Sequence, residues 1–254
     1  MKDSWRPKIV GHRGARNLAP ENTMPGFKLA AEMNLASAEL DVHLTADGHV
    51  VVIHDHTVDR TTNGSGRVDE LTLEEIRELD AAASWNGAFP HTSIPTLDEV
   101  MTEYGKRFDW EIELKVDDRT DVPALIHRSA EIIERHGATE NAILTSFCVN
   151  TVEQARNLRP DFRRGLITSE NPLGLLDLAV ELGCIMFAVH QAALDAQVGA
   201  AIRECGLWLS GWQGNSAEEL TRLHDARVDG FSSDRPDIAL EWLRDKGVEP
   251  MLRG

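Results

Sequence analysis

The sequence predicts an α/β protein folded as a closed parallel (β/α)8 (TIM) barrel, with a small insertion after its second barrel strand. Three observations carry this reading. Short β-rich segments alternate with helical stretches from one end of the chain to the other, eight times over. The 254 residues match the size of one such barrel. Polar residues gather at the C-terminal ends of otherwise apolar strand segments, the end where barrels of this type carry their chemistry.

The elements follow in order. The first strand is read at 8–12 and its helix at 23–34, opened by Thr23 with Pro25. The second strand, 37–41, leads into the insertion, read at residues 43–92. Asp47-Gly48, flanked by 42–45 and 50–53, is a two-residue hairpin signal, and closing it there sets Asp41 opposite His54. A stretch rich in Thr, Gly, Asp and Glu follows at 59–84, with a short helical piece at 73–79. A crossover helix needs far fewer residues than this, so 43–92 reads as an excursion sitting on the barrel mouth. Helix 96–106, opened by Thr96, returns the chain to strand 110–114. Alternation then runs through helix 121–136, strand 142–146, helix 150–158 from Asn150, strand 164–167 and helix 172–182. It closes with strand 185–189, helix 194–205, strand 208–211, helix 217–226 from Ser216, strand 230–233 and helix 236–246. Gly137, Gly183, Gly206 and Gly247 stand where left-handed helix stops are expected. Residues 1–254 are read as a single barrel domain, with no internal repeat.

Composition narrows the function. Hydrophobic residues are 42% and charged residues 27%, which suits a soluble protein with a large core. No apolar run approaches a membrane span, and the segment from Met1 to Pro7 has no signal-peptide h-region. Cys148, Cys184 and Cys205 are an odd, dispersed set, expected as reduced thiols in the cytoplasm. A net charge of −16 argues against nucleic acid and against stable association with an anionic membrane. An anionic small-molecule substrate would therefore need positive charge concentrated at its site.

The strand ends supply candidates for that site. His12 and Arg13 follow the first strand, Glu39 and Asp41 end the second, and Glu113 and Lys115 end the third barrel strand. Glu39, Asp41 and His43 alternate with apolar residues and share a face; so do Glu111, Glu113 and Lys115. Three carboxylates, Glu39, Asp41 and Glu113, form an oxygen-only ligand set suited to Mg²⁺ or Ca²⁺, or to Mn²⁺. His12 and His54 have the chemistry of a general acid and general base, and Arg13 and Lys115 that of phosphate anchors. Together these are the groups of metal-assisted phosphate-ester cleavage. His43 and His190 read as neighbours of the site, Asn22-Thr23 as a helix cap, and Glu21 as placed to hydrogen-bond the catalytic groups. Arg60-Thr61-Thr62, Trp85 and Phe89 read equally as supports of the excursion or as substrate contacts. Asp234 reads as orienting a histidine or capping the last helix.

At these residues the chain resembles the glycerophosphodiester phosphodiesterase family. The family's opening motif is matched by Gly11-His12-Arg13-Gly14-Ala15 and by Ala19-Pro20-Glu21-Asn22-Thr23, and its metal motif by Glu39-Leu40-Asp41-Val42. Its second-histidine motif is matched by Val51-Val52-Ile53-His54-Asp55, running on to Asp59-Arg60-Thr61-Thr62-Asn63-Gly64. Glu113-Leu114-Lys115 matches the third-strand motif; Ser146-Phe147 and Ser233-Asp234-Arg235-Pro236 match weaker ones. The resemblance runs from about residue 8 to residue 240. It implies hydrolysis of glycerophosphodiesters to glycerol 3-phosphate and an alcohol, with one divalent cation on Glu39, Asp41 and Glu113. It also implies His12 and His54 as the acid–base pair and attack by the substrate's 2-hydroxyl through a cyclic phosphate; the residues alone fit attack by water equally. Trp212 joins Arg13 and Lys115 as an expected substrate contact. The chain departs from the family at Trp212-Gln213-Gly214-Asn215, at Cys148 and at His190, positions that bear on substrate identity more than on reaction type.

Two rival readings stand beside this one. A lysophospholipase D-like enzyme would use the same chemistry on a lipid phosphodiester. A catalytically inactive phosphate-binding barrel would have no use for all five of His12, His54, Glu39, Asp41 and Glu113. The sequence is silent on oligomeric state and leaving group.

Overall fold

The computed structural model describes residues 5–253; residues 1–4, part of the N-terminal segment read above for a leader, lie outside it. Eight parallel strands close into a barrel: β1 (Lys8–Gly11), β2 (Ser37–Leu44), β4 (Asp109–Leu114), β5 (Ala142–Ser146), β6 (Arg164–Thr168), β7 (Met186–His190), β8 (Trp208–Trp212) and β9 (Gly230–Ser233). Pairing of β1 with both β2 and β9 closes the ring. A short strand, β3 (Val50–Val52), runs antiparallel to the outer end of β2. Helices α1 (Met24–Glu32), α3 (Leu97–Tyr104), α4 (Val122–Arg135), α5 (Val149–Leu158), α6 (Pro172–Glu181), α7 (Ala196–Glu204) and α8 (Ala217–Asp225) connect the barrel strands, and α9 (Pro236–Asp245) follows the last of them. The excursion adds α2 (Leu73–Arg77) and two short 3-10 turns.

The local chemistry explains most of these boundaries. Thr23, Thr96 and Ser216 cap their helices, the last two in reciprocal capping boxes with Glu99 and Glu219. Gly137, Gly183, Gly206 and Gly247 all adopt positive φ after their helices. Two starts differ from the sequence reading. Cys148, not Asn150, is the cap position of α5, and α7 begins at Ala196 with Asp195 as its cap, behind a 3-10 turn at Gln191–Ala193. Between barrel and helices, Phe27, Phe108 and Trp110 are buried with rings edge-on at 5.2 to 5.4 Å. Each such side chain contributes roughly 1.5–3 kcal/mol by leaving water. A second apolar cluster, built on Val51, Ile53, Val58, Val68 and Ile76, lies under the excursion. Trp85 and Phe89, outside that cluster, pack edge-on against each other within the excursion.

The hairpin register corrects the sequence reading by one residue. Val42 faces Val52 and Leu44 faces Val50, so Asp41 lies opposite Ile53 and not His54. The loop has three residues, Ala46 to Gly48. Thr45 closes it: its hydroxyl donates to Asp47 at 2.6 Å and accepts from the His49 amide at 2.8 Å. Gly48 takes φ 79°, which L side chains rarely adopt.

One register places the site. In the β2–β4 pair, Glu39 stands beside Glu111 and Asp41 beside Glu113, so four carboxylates share one face of two neighbouring strands. Among the described residues, no helix is long and apolar enough to cross a membrane.

Candidate active site

A tight turn after β1 aims the first two site residues. A Cβ on Gly11 would lie 2.1 Å from the Gly14 carbonyl oxygen, so only glycine lets the chain fold back this closely. His12 and Arg13 follow, both buried. The Arg13 amide donates to Glu39 Oε2 at 2.9 Å. Its guanidinium donates to Glu21 Oε1 at 2.8 Å and lies 3.3 Å from Asp41 Oδ2.

Each candidate histidine is held by an aspartate. His12 Nδ1 lies 2.5 Å from Asp234 Oδ1, and His54 Nδ1 lies 2.6 Å from Asp55 Oδ1. Burial raises both carboxyls, but hydrogen bonds from His12 to Asp234, and from Arg60 and His54 to Asp55, outweigh it and leave both below the usual range. An ionised carboxylate only accepts, so each Nδ1 carries its proton and each Nε2 presents a lone pair. Burial lowers both imidazoles, which favours this neutral form. Of the two sequence readings of Asp234, the structure realises the first: Arg235 occupies the cap position of α9, and Asp234 orients His12.

The supports reach further. Asn215 donates from Nδ2 to Asp234 Oδ2 at 2.9 Å and accepts the Asp234 amide at 2.8 Å. Arg60 donates to Asp55 and, through two bonds of 2.8 Å, to Glu21. Asp55, Arg60, Glu21 and Arg13 thus tie the excursion to the first turn, with Arg60 as a support. Asn22, read as part of a cap, instead donates to Asp41 Oδ2 at 2.8 Å, leaving capping to Thr23. His43 is buried, its pKa pushed down to about 4 by desolvation, and its Nε2 donates to the His54 carbonyl at 3.1 Å.

Glu39, Asp41 and Glu113 bring carboxylate oxygens within 4.8 Å of one another. Lys115 Nζ lies 2.7 Å from Glu113 Oε1 and 3.2 Å from Asp41 Oδ1. Burial and the Asp41 charge drive Glu39 and Glu113 above the usual carboxylate range. Burial would raise Asp41 too, but Lys115 and Arg13 hold it well below. Three carboxylates share two cations, one of which Glu21 already neutralises, and the buried Asp41 Oδ1 has the Lys115 ammonium at 3.2 Å but no well-aligned hydrogen bond. That donor set fits a hard divalent cation, whose charge would let all three ionise together.

His12, Arg13, Glu39, His54, Glu113 and Lys115 line one cavity of about 190 Å³, with Asp41 buried behind them. Phe147 and Trp212 form its aromatic rim, rings edge-on at 5.6 Å, and His190 packs on Trp212 at 4.8 Å. Below the rim lies Glu111, which the sequence reading noted only as part of an alternation. It is buried, its pKa is pushed up to about 7 by desolvation, and Ser210 Oγ donates to its carboxyl. The signals for the missed residues were Asp55 beside His54 and Glu111 in phase with Glu113.

A barrel mouth that sets two aspartate-held histidines, two cationic side chains and a carboxylate cluster around one small cavity has the groups of a hydrolase of phosphoric esters. Comparison with known proteins gives the family. The sequence profile of the glycerophosphoryl diester phosphodiesterase family matches residues 12–238, and the chain belongs to that family. A glycerophosphodiester phosphodiesterase of Caldanaerobacter subterraneus subsp. tengcongensis is 33% identical over 240 residues, covering 94% of this chain and 98% of the relative. One from Bacillus subtilis is 30% identical over 247 residues, covering 90% and 84%. Among solved structures, an Oleispira antarctica phosphodiesterase in complex with the product sn-glycerol-3-phosphate superposes with a TM-score of 0.85. It shares 29% identity, with 95% of this chain and 98% of that one covered.

Proposed function

We propose that this cavity hydrolyses glycerophosphodiesters to glycerol 3-phosphate and an alcohol, with His12 and His54 as the acid–base pair. Glu39, Asp41 and Glu113 would hold one divalent cation, Mg²⁺ or Ca²⁺, or Mn²⁺. When bound, that ion supplies charge neutralisation at a phosphoryl oxygen and orientation of the attacking hydroxyl. Arg13 and Lys115 bind the remaining phosphoryl oxygens, and Trp212 packs against the substrate beside them. Water, or the substrate's 2-hydroxyl, attacks phosphorus as the Nε2 of one neutral histidine takes its proton. The other histidine, having entered the cycle protonated at Nε2, gives that proton to the departing alkoxide. Where the 2-hydroxyl attacks, water then opens the cyclic phosphate with the two histidines' roles exchanged. Asp234 and Asp55 each hold the proton on Nδ1, so that Nε2 faces the reaction as the base's lone pair or, once protonated, as the acid's N–H.

The observation that carries the reading is the pairing of two aspartate-held histidines with a three-carboxylate cluster beside one cavity. The family and its product-bound relative support the substrate class. Free cysteines and the charge of −16 support a small-molecule substrate, a cytoplasmic setting and no stable membrane association.

Replacing either histidine tests the roles. His12→Ala and His54→Ala should each abolish glycerol 3-phosphate release while the circular dichroism spectrum and thermal transition stay close to those of the parent. Parent-like turnover in either variant would remove that histidine from the mechanism.

A further inference from the structure

Glu111 is a buried carboxylate in the barrel interior that the chemistry above leaves unused. It lines the same cavity as His12 and His54. It lies one strand step inward from Glu113 on the same face of β4, a drop of about 7 Å. Among the described residues no lysine or arginine pairs with it; Ser210 Oγ sits 3.1 and 3.2 Å from its two oxygens and donates to the carboxyl. A buried carboxyl has acceptor capacity for more than one hydroxyl proton, so Glu111 retains room for another donor. Short side chains, Ser210, Ser232 and Ala188, leave the interior open around it. The lining mixes acceptor and hydroxyl groups, Glu111, Ser210 and Ser232, with the apolar Ile167 and Ala188, and Glu111 and Ser210 meet across the barrel from β4 and β8. That mixture suits a short polyol, which presents both hydroxyls and a carbon edge.

We propose that Glu111 and Ser210 form a hydroxyl-recognising floor for the free end of the substrate's glyceryl arm. The terminal hydroxyl donates to Glu111, and Ser210 fixes the carboxyl that receives it. With the phosphate held by Arg13 and Lys115, a three-carbon arm points inward toward this floor. The variable alcohol faces outward past Phe147, where an adjoining lobe of about 430 Å³ beside His54 and Lys115 leaves it room. Glu111 would thus be a specificity residue, and a chain-long lipid arm has no place on the inner side. The inference rests on the proposed hydrolysis and goes beyond it by assigning one arm to one end of the cavity.

The test compares two substrates on each protein: glycerophosphocholine, and its analogue in which the glyceryl group is replaced by 2-hydroxypropyl. The analogue keeps the 2-hydroxyl and lacks only the terminal one. The parent should prefer glycerophosphocholine by at least about tenfold in kcat/KM, the scale of one hydrogen bond to a charged or buried partner. Glu111→Leu should reduce that preference to within about threefold, while Glu111→Gln, which can still accept, should keep most of it. A merely structural role would lower both substrates together and leave the ratio unchanged. If Glu111→Leu does not fold, Ser210→Ala carries the test, with a preference reduced at least about threefold. Equal use of both substrates by the parent, or an unchanged ratio in the variants, would overturn the inference and leave the hydrolysis reading standing. No release of glycerol 3-phosphate by the parent would overturn both.

Discussion

Replacing Asp234 by asparagine should inactivate the enzyme more thoroughly than its near-identical shape suggests. The reason lies in Asn215. Its side-chain oxygen accepts from the Asp234 amide and from Ser233 Oγ, which forces its Nδ2 toward the second oxygen of residue 234. In Asp234→Asn the new amide must therefore turn its oxygen to Asn215 and its NH2 to His12 Nδ1. His12 Nδ1 must then accept, so the proton moves to Nε2 and the lone pair facing the cavity is lost. General acid–base catalysis contributes about 10²- to 10⁴-fold, and a mis-set tautomer forfeits it; kcat should fall by about that factor. The fold should persist, because the replacement is isosteric and loses only one charge-assisted hydrogen bond, about 1.5–3 kcal/mol. Asp234→Ala removes the constraint along with the carboxylate, leaves the tautomer free, and should be no worse than Asp234→Asn. Coupled assay of glycerol 3-phosphate at saturating glycerophosphocholine, with calorimetry for stability, reads both effects. A kcat for Asp234→Asn within about threefold of the parent would refute the tautomer argument.

Other consequences can be checked independently. Glu39→Gln removes a ligand charge, so Mn²⁺ or Ca²⁺ affinity by titration calorimetry should weaken at least about tenfold; unchanged affinity would exclude Glu39 from the cation site. Glu21 is buried, which alone would raise its pKa, but hydrogen bonds from Arg60 and Arg13 bring it down to about 2 from an ordinary 4.5. Because the folded value is the lower one, its stabilisation is full above pH 4.5 and is lost as pH falls toward 2, about 3 kcal/mol in all. The thermal-stability gap between the parent and Glu21→Gln should accordingly be widest near pH 6 and shrink steadily below pH 4.5; a gap independent of pH would contradict the assignment.

The barrel was legible because each strand and helix declares itself locally. Apolar runs, caps at Thr23, Thr96 and Ser216, and glycine stops all agree, and the strand-end polar ring reports the same fold from chemistry. The carboxylate cluster was legible because alternation along β2 and β4 fixes which side chains share a face. Two kinds of information were not local. Hairpin register depends on Thr45 reaching across the loop to Asp47 and His49, which turns a two-residue signal into a three-residue loop. The partners of the histidines are set by closure of the ring. Asp234 lies 222 residues from His12 and meets it only because β9 pairs with β1. Asn22 looked like part of a helix cap until folding carried it onto Asp41, and Glu21, read as a partner of the catalytic groups, meets Arg60 as well as Arg13.

The central claim is a cation-dependent glycerophosphodiester hydrolysis, and one assay addresses it directly: glycerol 3-phosphate release from glycerophosphocholine and glycerophosphoethanolamine, after EDTA and after adding back Mg²⁺, Ca²⁺ or Mn²⁺. The account predicts release that EDTA abolishes and at least one of the three ions restores. Release undiminished in EDTA, with the protein verified free of metal, or no release with any of the ions, would contradict it.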